Sequence, residues 1–195
     1  MPDSVRGIQT AIDYGWLDPD PEGETAAALV ELLAHVLAGG SITNQTYVPS
    51  VTTGRRVELD DVRAVFDRVG VESVVRRADD DGRATEVVPE SDGSVLGRCL
   101  VTLGAPAGEK VDLDEFPPVV WDVPSSVRES FARIYVDHRA REYPEKRTLV
   151  VQEKRSQTYL EGLGEFLTDV TGESVTVSGH NVTISADAAR ALCRA

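Results

Sequence analysis

Residues able to hold a metal ion or activate water are unevenly placed in this chain. The run LLAHVLAGGSI, Leu32 to Ile42, closes an apolar helix on Gly39-Gly40. From Leu32 to Val57, 26 residues pass without an Asp or Glu, although acids make up 33 of the 195 residues. A helix that ends this way offers a hard divalent cation only backbone, where such an ion wants carboxylate oxygen. A second helix, SSVRESFARIYVDHRA, closes on Asp137, His138 and Arg139. Asp137 is the one acid near that end. A guanidinium at roughly 4 Å opposes a unit positive charge by about 4 kcal/mol even at a surface-like dielectric, and a divalent ion by twice that. The acid-free window ends in Arg55-Arg56, and further bases gather at Arg76, Arg77 and Arg83 and at Arg147, Lys154 and Arg155.

Other chemistry finds little support. GAPAGEK, Gly104 to Lys110, lacks the Gly-Lys-Ser/Thr order of a phosphate loop, because Glu109 separates Gly108 from Lys110. The histidines His35, His138 and His180 are scattered. His35 falls in mid-helix, which suits a packed residue or one hydrogen-bonded between helices better than a ligand. Cys99 and Cys193 form no spaced motif, which points to a reducing compartment without a disulfide framework. The start MPDSVRGIQT lacks a basic segment followed by an apolar run, so a cytoplasmic protein is expected. Neither a splicing nucleophile at Met1 nor a His-Asn ending is present.

The elements that must position these groups alternate between helix and short β-branched runs. ETAAALVELLAHVLA is apolar on nearly every side, which predicts a deeply buried helix. SITNQTYVPSVTTG reads as a turn and a strand. VELDDVRAVFDRVG is an amphipathic helix that places Leu59, Val62, Val65, Phe66 and Val69 on one face and stops at Gly70. VESVVRR and RATEVVPE form a strand pair around Asp79-Asp80-Asp81-Gly82, and SDGSVLGRCLVTLG is a further helix. After a proline-bearing connection, SSVRESFARIYVDHRA predicts a helix with a capping box from Ser126 to Glu129. RTLVVQ is a strand, and SQTYLEGLGEFLTDVTG a helix ending at Gly172. ESVTVSG and NVTIS pair as a hairpin, and ADAARALC closes the chain as a helix. Trp16 and Trp121 flank the two central helices and are expected in the core.

The halves match. Gly70-Val71-Glu72-Ser73-Val74 echoes Gly172-Glu173-Ser174-Val175. The order predicts an α+β fold of two pseudo-symmetric αββαββα repeats. The expected divisions are an extension over 1–20, a first repeat over 21–104, a linker over 105–124 and a second repeat over 125–195. A generic α+β domain with accidental internal agreement is the alternative.

The formal charge is -13, and only 3 of the 20 bases are Lys. Abundant acid with scarce Lys reads as adaptation to high salt, with an ordinary acidic cytosolic protein as the alternative. Taken globally, that charge opposes a nucleic-acid partner, so the local distribution has to decide.

Three segments resemble the LAGLIDADG homing endonucleases in their two-repeat form. LLAHVLAGGSI stands where that family has its signature helix end. VLGRCLVTLGAPAGEKV through FPPVVWDVPSSVRESFARIYVDHRA is similar to its inter-repeat passage. VVQEKRSQTYLEGLGEFL is similar to its post-signature strand and helix. The resemblance implies two signature helices packed on a pseudo-two-fold axis, and a saddle of antiparallel strands lying in the DNA major groove. In the family each helix delivers an acid to the divalent metals that cleave DNA. By that alignment Gly39 and Arg139 stand at vestigial metal-binding positions, with Asp137 at the inner acid position. A slip of two residues would instead put Asp137 at the metal position. The preferred register sets Ile134 and His138 where the family has small residues, so a close helix crossing is not implied.

The resemblance implies double-stranded DNA as partner. Arg55, Arg56, Arg76, Arg77, Arg83, Arg147, Lys154 and Arg155 would contact phosphate or guanine, and Gln45, Gln152 or Asn44 would read adenine. With the acids missing, the expectation is a monomeric, cleavage-inactive DNA binder with no metal and no cofactor. The alternatives are an active endonuclease using Mg²⁺ held by Asp137, and a repurposed protein-interaction module.

Overall fold

Duplication is written in the strand order. The computed structural model describes residues 4–78, 84–143 and 145–193. Its helices are α1 (Ser4–Asp13), α2 (Glu24–Gly39), α3 (Leu59–Arg68), α4 (Gly93–Thr102), α5 (Ser125–Arg139), α6 (Gln157–Thr171) and α7 (Ala186–Leu192). Strands β1 (Gly40–Ile42), β2 (Pro49–Thr52), β3 (Ser73–Arg76) and β4 (Glu86–Pro89) form one antiparallel sheet in the order β1-β2-β4-β3. Strands β5 (Arg141–Tyr143), β6 (Thr148–Gln152), β7 (Val175–Ser178) and β8 (Asn181–Ile184) repeat it as β5-β6-β8-β7. The fold is α+β, with two sheets related as the sequence repeat predicts.

Helix α2 is buried from Ala28 to Ala38 except at Glu31, because its neighbours come from both halves. Its lack of a polar stripe is thus a consequence of position. Helix α5 packs against it and buries Val127, Phe131, Ala132, Tyr135, Val136 and His138. Strand alternation sends Val51, Val87, Leu149, Val151, Val182 and Ile184 into the same core. The opposite faces of both sheets are left open.

The connection between the repeats is built into the core. Phe116 and Val120 are buried within it, and Phe116 packs against Phe131, Tyr159 and Phe166. Short 3-10 turns form at Lys110–Asp112 and Pro118–Trp121.

Several expectations are corrected. Residues 4–13 form helix α1, which carries Ala11 inward and leaves Val5, Ile8 and Ile12 exposed. Edge strands β1 and β5 add to the strands read from sequence. The capping box at Ser126 does not form: α5 starts one residue earlier, after Pro124, with no side-chain cap. Trp16 is in the core and donates to the Val69 carbonyl at 2.8 Å, whereas Trp121 is 40% exposed and meets Phe166 edge-on. Arg83 and the turn Asp79-Asp80-Asp81-Gly82 lie outside the described residues. Among the described residues no helix is long and apolar enough to cross a membrane.

Candidate nucleic-acid interface

Helices α2 and α5 end side by side, each feeding an edge strand. The last helical residues are Gly39 and Arg139, with Asp137 two residues before the end of α5. Between them His35 Nδ1 and His138 Nε2 lie 2.8 Å apart, with rings nearly perpendicular. This is the inter-helix hydrogen bond expected of His35. A Cβ on Gly39 would collide with the His138 ring, and one on Gly54 would stand 2.7 Å from His138 Nδ1. The close crossing is therefore made, with Gly39 on α2 and Gly54 after β2 leaving room for the His138 ring. Burial, with the neighbouring His138, lowers the His35 pKa to about 3. Burial, with Lys110 and Arg139 adding to it, lowers His138 to about 4. Both rings are neutral near pH 7.

Beside the histidines lies a charged cluster around Glu153. Its carboxylate accepts from the Tyr135 hydroxyl at 2.8 Å and pairs with Arg139 Nε at 2.5 Å and Arg155 Nε at 2.7 Å. The Tyr135 and Tyr159 hydroxyls are 3.1 Å apart, and the Arg155 guanidinium lies 4.2 Å above the Tyr159 ring. Arg155 Nη2 donates to the Leu37 carbonyl at 2.6 Å, and Lys110 Nζ donates to the same oxygen at 2.8 Å. That oxygen belongs to the last turn of α2, the negative end of the helix dipole. Burial, reinforced by Arg155 and Arg139 and opposed by Glu153, lowers the Lys110 pKa to about 7. Burial raises both tyrosines, which stay protonated. Two guanidiniums thus pair with one carboxylate, and Lys110 lies near enough to feel its charge.

The surface bases divide into engaged and open. Arg56 reaches Asp137 at 3.8 Å and Glu142 at 3.7 Å, and Arg77 pairs with Glu86 at 2.5 Å. Arg55, Arg76, Arg147 and Lys154 are exposed and make no ion pair among the described residues. Arg155 is in the interior, its side chain 2% exposed, so it leaves the set of surface contacts expected from sequence. Gln45 and Asn44 are exposed in the β1–β2 turn, and Gln152 is exposed at the end of β6. Asp137 is half-buried beside Arg56. Burial raises its pKa, with Arg56 and Arg133 acting the other way.

Glu153, Lys110, Tyr135 and the role of His138 were not read from sequence. A signal existed for two of the buried groups: Glu153 and Arg155 continue the alternation of inward-facing Val151 past the strand end.

Register identifies the open faces. In the second sheet they carry Arg141, Tyr143, Thr148, Val150 and Gln152 from β5 and β6, and Thr176, Ser178, Asn181 and Thr183 from β7 and β8. None of these is an acid. The corresponding face of the first sheet carries Ser41, Ser50, Thr52, Val74 and Arg76, with Glu86 tied to Arg77 and Val88 buried.

No family model matches the chain, and no curated protein matches it. The likeness is in three dimensions. Full-length DUF199/WhiA from Thermatoga maritima superposes on 94% of this chain with a TM-score of 0.56 at 10% identity, and the chain spans 59% of that protein. The N-terminal LAGLIDADG domain of DUF199/WhiA gives 0.53 at 12% identity, over 93% of this chain and 88% of that one. I-DmoI, in complex with DNA and Mn, gives 0.50 at 11% identity, over 82% and 89%. The fold is a LAGLIDADG fold. In a LAGLIDADG frame α2 and α5 are the central helix pair, and the open sheet faces form the saddle. Asp137, in the last turn of α5, is a carboxylate at the helix ends, and it is half-buried beside Arg56. Gly39 supplies no side chain, and the His138 ring fills the space beside it. Arg139 is a cation, and Glu153 is fully engaged by Arg139, Arg155 and Tyr135. Among the described residues no three His, Cys, Asp or Glu side chains converge as a metal site.

Proposed function

We propose that this chain binds double-stranded DNA along the open faces of its two sheets and does not cleave it. The observation that carries the reading is the second sheet face, where nine outward residues include no carboxylate in a chain of net charge -13. An acidic protein that keeps one sheet face free of acid has kept it compatible with a polyanion. That face offers hydroxyls, carboxamides and Arg141, which are groups that read base edges in a major groove. Arg55, Arg76, Arg147 and Lys154 supply open cations for backbone phosphates. The lack of a side chain at Gly39 and the engagement of Glu153 support loss of cleavage, since phosphodiester hydrolysis of this kind needs metal-bound oxygen. With both repeats in one chain, a monomer presents the whole saddle.

Selection from a randomised duplex library, run with and without Mg²⁺ in molar-range KCl suited to an acidic protein, tests the reading. The expected result is enrichment of an extended site with no cut strands, and an affinity that falls steeply with added salt. Mg²⁺-dependent cutting lost in Asp137→Ala would restore the endonuclease reading. Absence of any enriched duplex would remove DNA as the partner.

A further inference from the structure

Helices α1, α2 and α4, with the segments 16–21 and 119–123, leave between them an apolar cavity of about 620 Å³. Small residues make it. Gly7 and Ala11 on α1 and Ala26 on α2 line it, and none has a side chain long enough to fill the space between the helices. The walls are apolar, with Leu29 and Val30 from α2, Val95 and Leu103 from α4, and Val123 from the inter-repeat connection. Ile8 and Leu17 also line it, yet they are 57% and 55% exposed, so they mark its opening. No strand contributes a lining residue, and the cavity is therefore separate from the open sheet faces. Protein interiors hold few voids larger than a water molecule. A cleft of roughly 300–1,000 Å³ with apolar walls and a few polar groups is the usual form of a small-molecule site.

The charged groups at the cavity decide what kind of molecule fits. Arg98 is the one basic residue that lines it among the described residues, and its guanidinium already lies 4.0 Å above the Tyr47 ring. Asp18 and Asp122 line it as well, and both are exposed. Neither carboxylate makes a hydrogen bond or an ion pair among the described residues. Two open carboxylates beside one engaged cation favour a positively charged head group.

Independently of the DNA-binding reading, we propose that this cavity binds a small apolar molecule carrying one amine head. The apolar body lies against Leu29, Val30 and Val95, and the ammonium faces Asp18 and Asp122 at the opening.

Cys99 gives the test its readout. It lines the cavity and is half-buried, whereas Cys193 is exposed at the end of α7 and does not line it. The probes are dodecylamine, dodecanol and dodecanoate, which share one chain length and differ in the head, each kept below its micelle concentration. Alkylation of both thiols by N-ethylmaleimide is followed by mass spectrometry. Dodecylamine at about ten times its Kd is expected to slow Cys99 about tenfold and to leave Cys193 unchanged. It should bind about tenfold more tightly than dodecanoate. Asp18→Asn with Asp122→Asn, both at exposed positions, should erase that preference and leave dodecanol binding as it was. Dodecanoate binding as tightly as dodecylamine in the parent chain overturns the amine head. No slowing of Cys99 by any probe, or equal slowing of both thiols, overturns the site itself. Protection of Cys99 that grows with protein concentration and needs no probe gives the cavity to a second copy of the chain instead.

Discussion

The imidazole of His138 occupies the space that a side chain on Gly39 would need. The glycine is therefore more than a lost acid, because it makes room for the histidine pair that joins α2 to α5. Gly39→Asp, which puts back the carboxylate of the resembling family, is expected to destabilise the fold by about 1–3 kcal/mol and to yield no Mg²⁺-dependent cutting. Adding His138→Ala should relieve most of that cost. Urea unfolding of the single and double variants checks this. A Gly39→Asp protein as stable as the parent would show that the ring has somewhere else to go, and would sink the account.

Glu153 is the one acid between Arg139 and Arg155. Glu153→Gln leaves a buried guanidinium without its counter-charge, and should cost about 3–5 kcal/mol in unfolding free energy. Tyr135→Phe removes only a hydrogen bond to the same carboxylate and should cost about 1 kcal/mol. Equal, small effects from both would show that the cluster lies open to water.

Acid should weaken the protein through its histidine pair. The folded values, about 3 for His35 and about 4 for His138, lie below the unfolded value of 6.5. The unfolded chain therefore binds more protons between those limits, and stability falls as pH drops below about 6.5. His35→Asn with His138→Asn should flatten that slope. Melting temperatures from pH 4 to pH 8 report it, and an unchanged slope in the double variant would assign the acid sensitivity to other groups.

Lys110 acts in the same direction, in a higher pH window. Its folded value of about 7 lies below the ordinary 10.5, so the unfolded chain holds the extra proton between these limits. Stability should rise with pH across that window, and the full burial penalty is carried below pH 7. Arg139, Arg155, Glu153 and neutral His138 face this ammonium. A DNA phosphate brought to the floor of the saddle would favour its charged form, so affinity should weaken as pH climbs above 7. Lys110→Met should bind more weakly and lose the pH dependence. Affinity titrations from pH 6 to pH 9 separate this from a general effect of pH on binding.

Periodicity made most of the elements legible before any coordinates. Helices α2, α3, α4, α5 and α6 carry apolar residues at helical spacing, and Gly70, Gly104 and Gly172, all at positive φ, are real stops for α3, α4 and α6. Strands β1 and β5 were implied by the αββαββα repeat, but their bounds were not legible, because three exposed or mixed residues give no alternation; they form by pairing with β2 and β6. Helix α1 was not read, although Val5, Ile8 and Ile12 fall at helical spacing. At the site, the missing carboxylate at Gly39 was visible, whereas what filled its place was not. Glu153 and Lys110 come from segments far from the helix ends in sequence, and only the folded chain brings them to Leu37 and Arg139. The arginines showed the opposite failure. Composition marks Arg155 as a surface base, and its neighbours turn it into an interior tether.

The Leu37 carbonyl belongs to the first repeat, yet Lys110 from the inter-repeat connection and Arg155 from the second repeat both bind it. Each half thus completes the other's last helical turn. If the chain were cut within residues 105–124, neither fragment would keep that oxygen's two partners together with the cover over α2. The halves should behave as complementing fragments, mute alone and folding when mixed. Gene duplication would here have produced two copies that surrendered the ability to live apart.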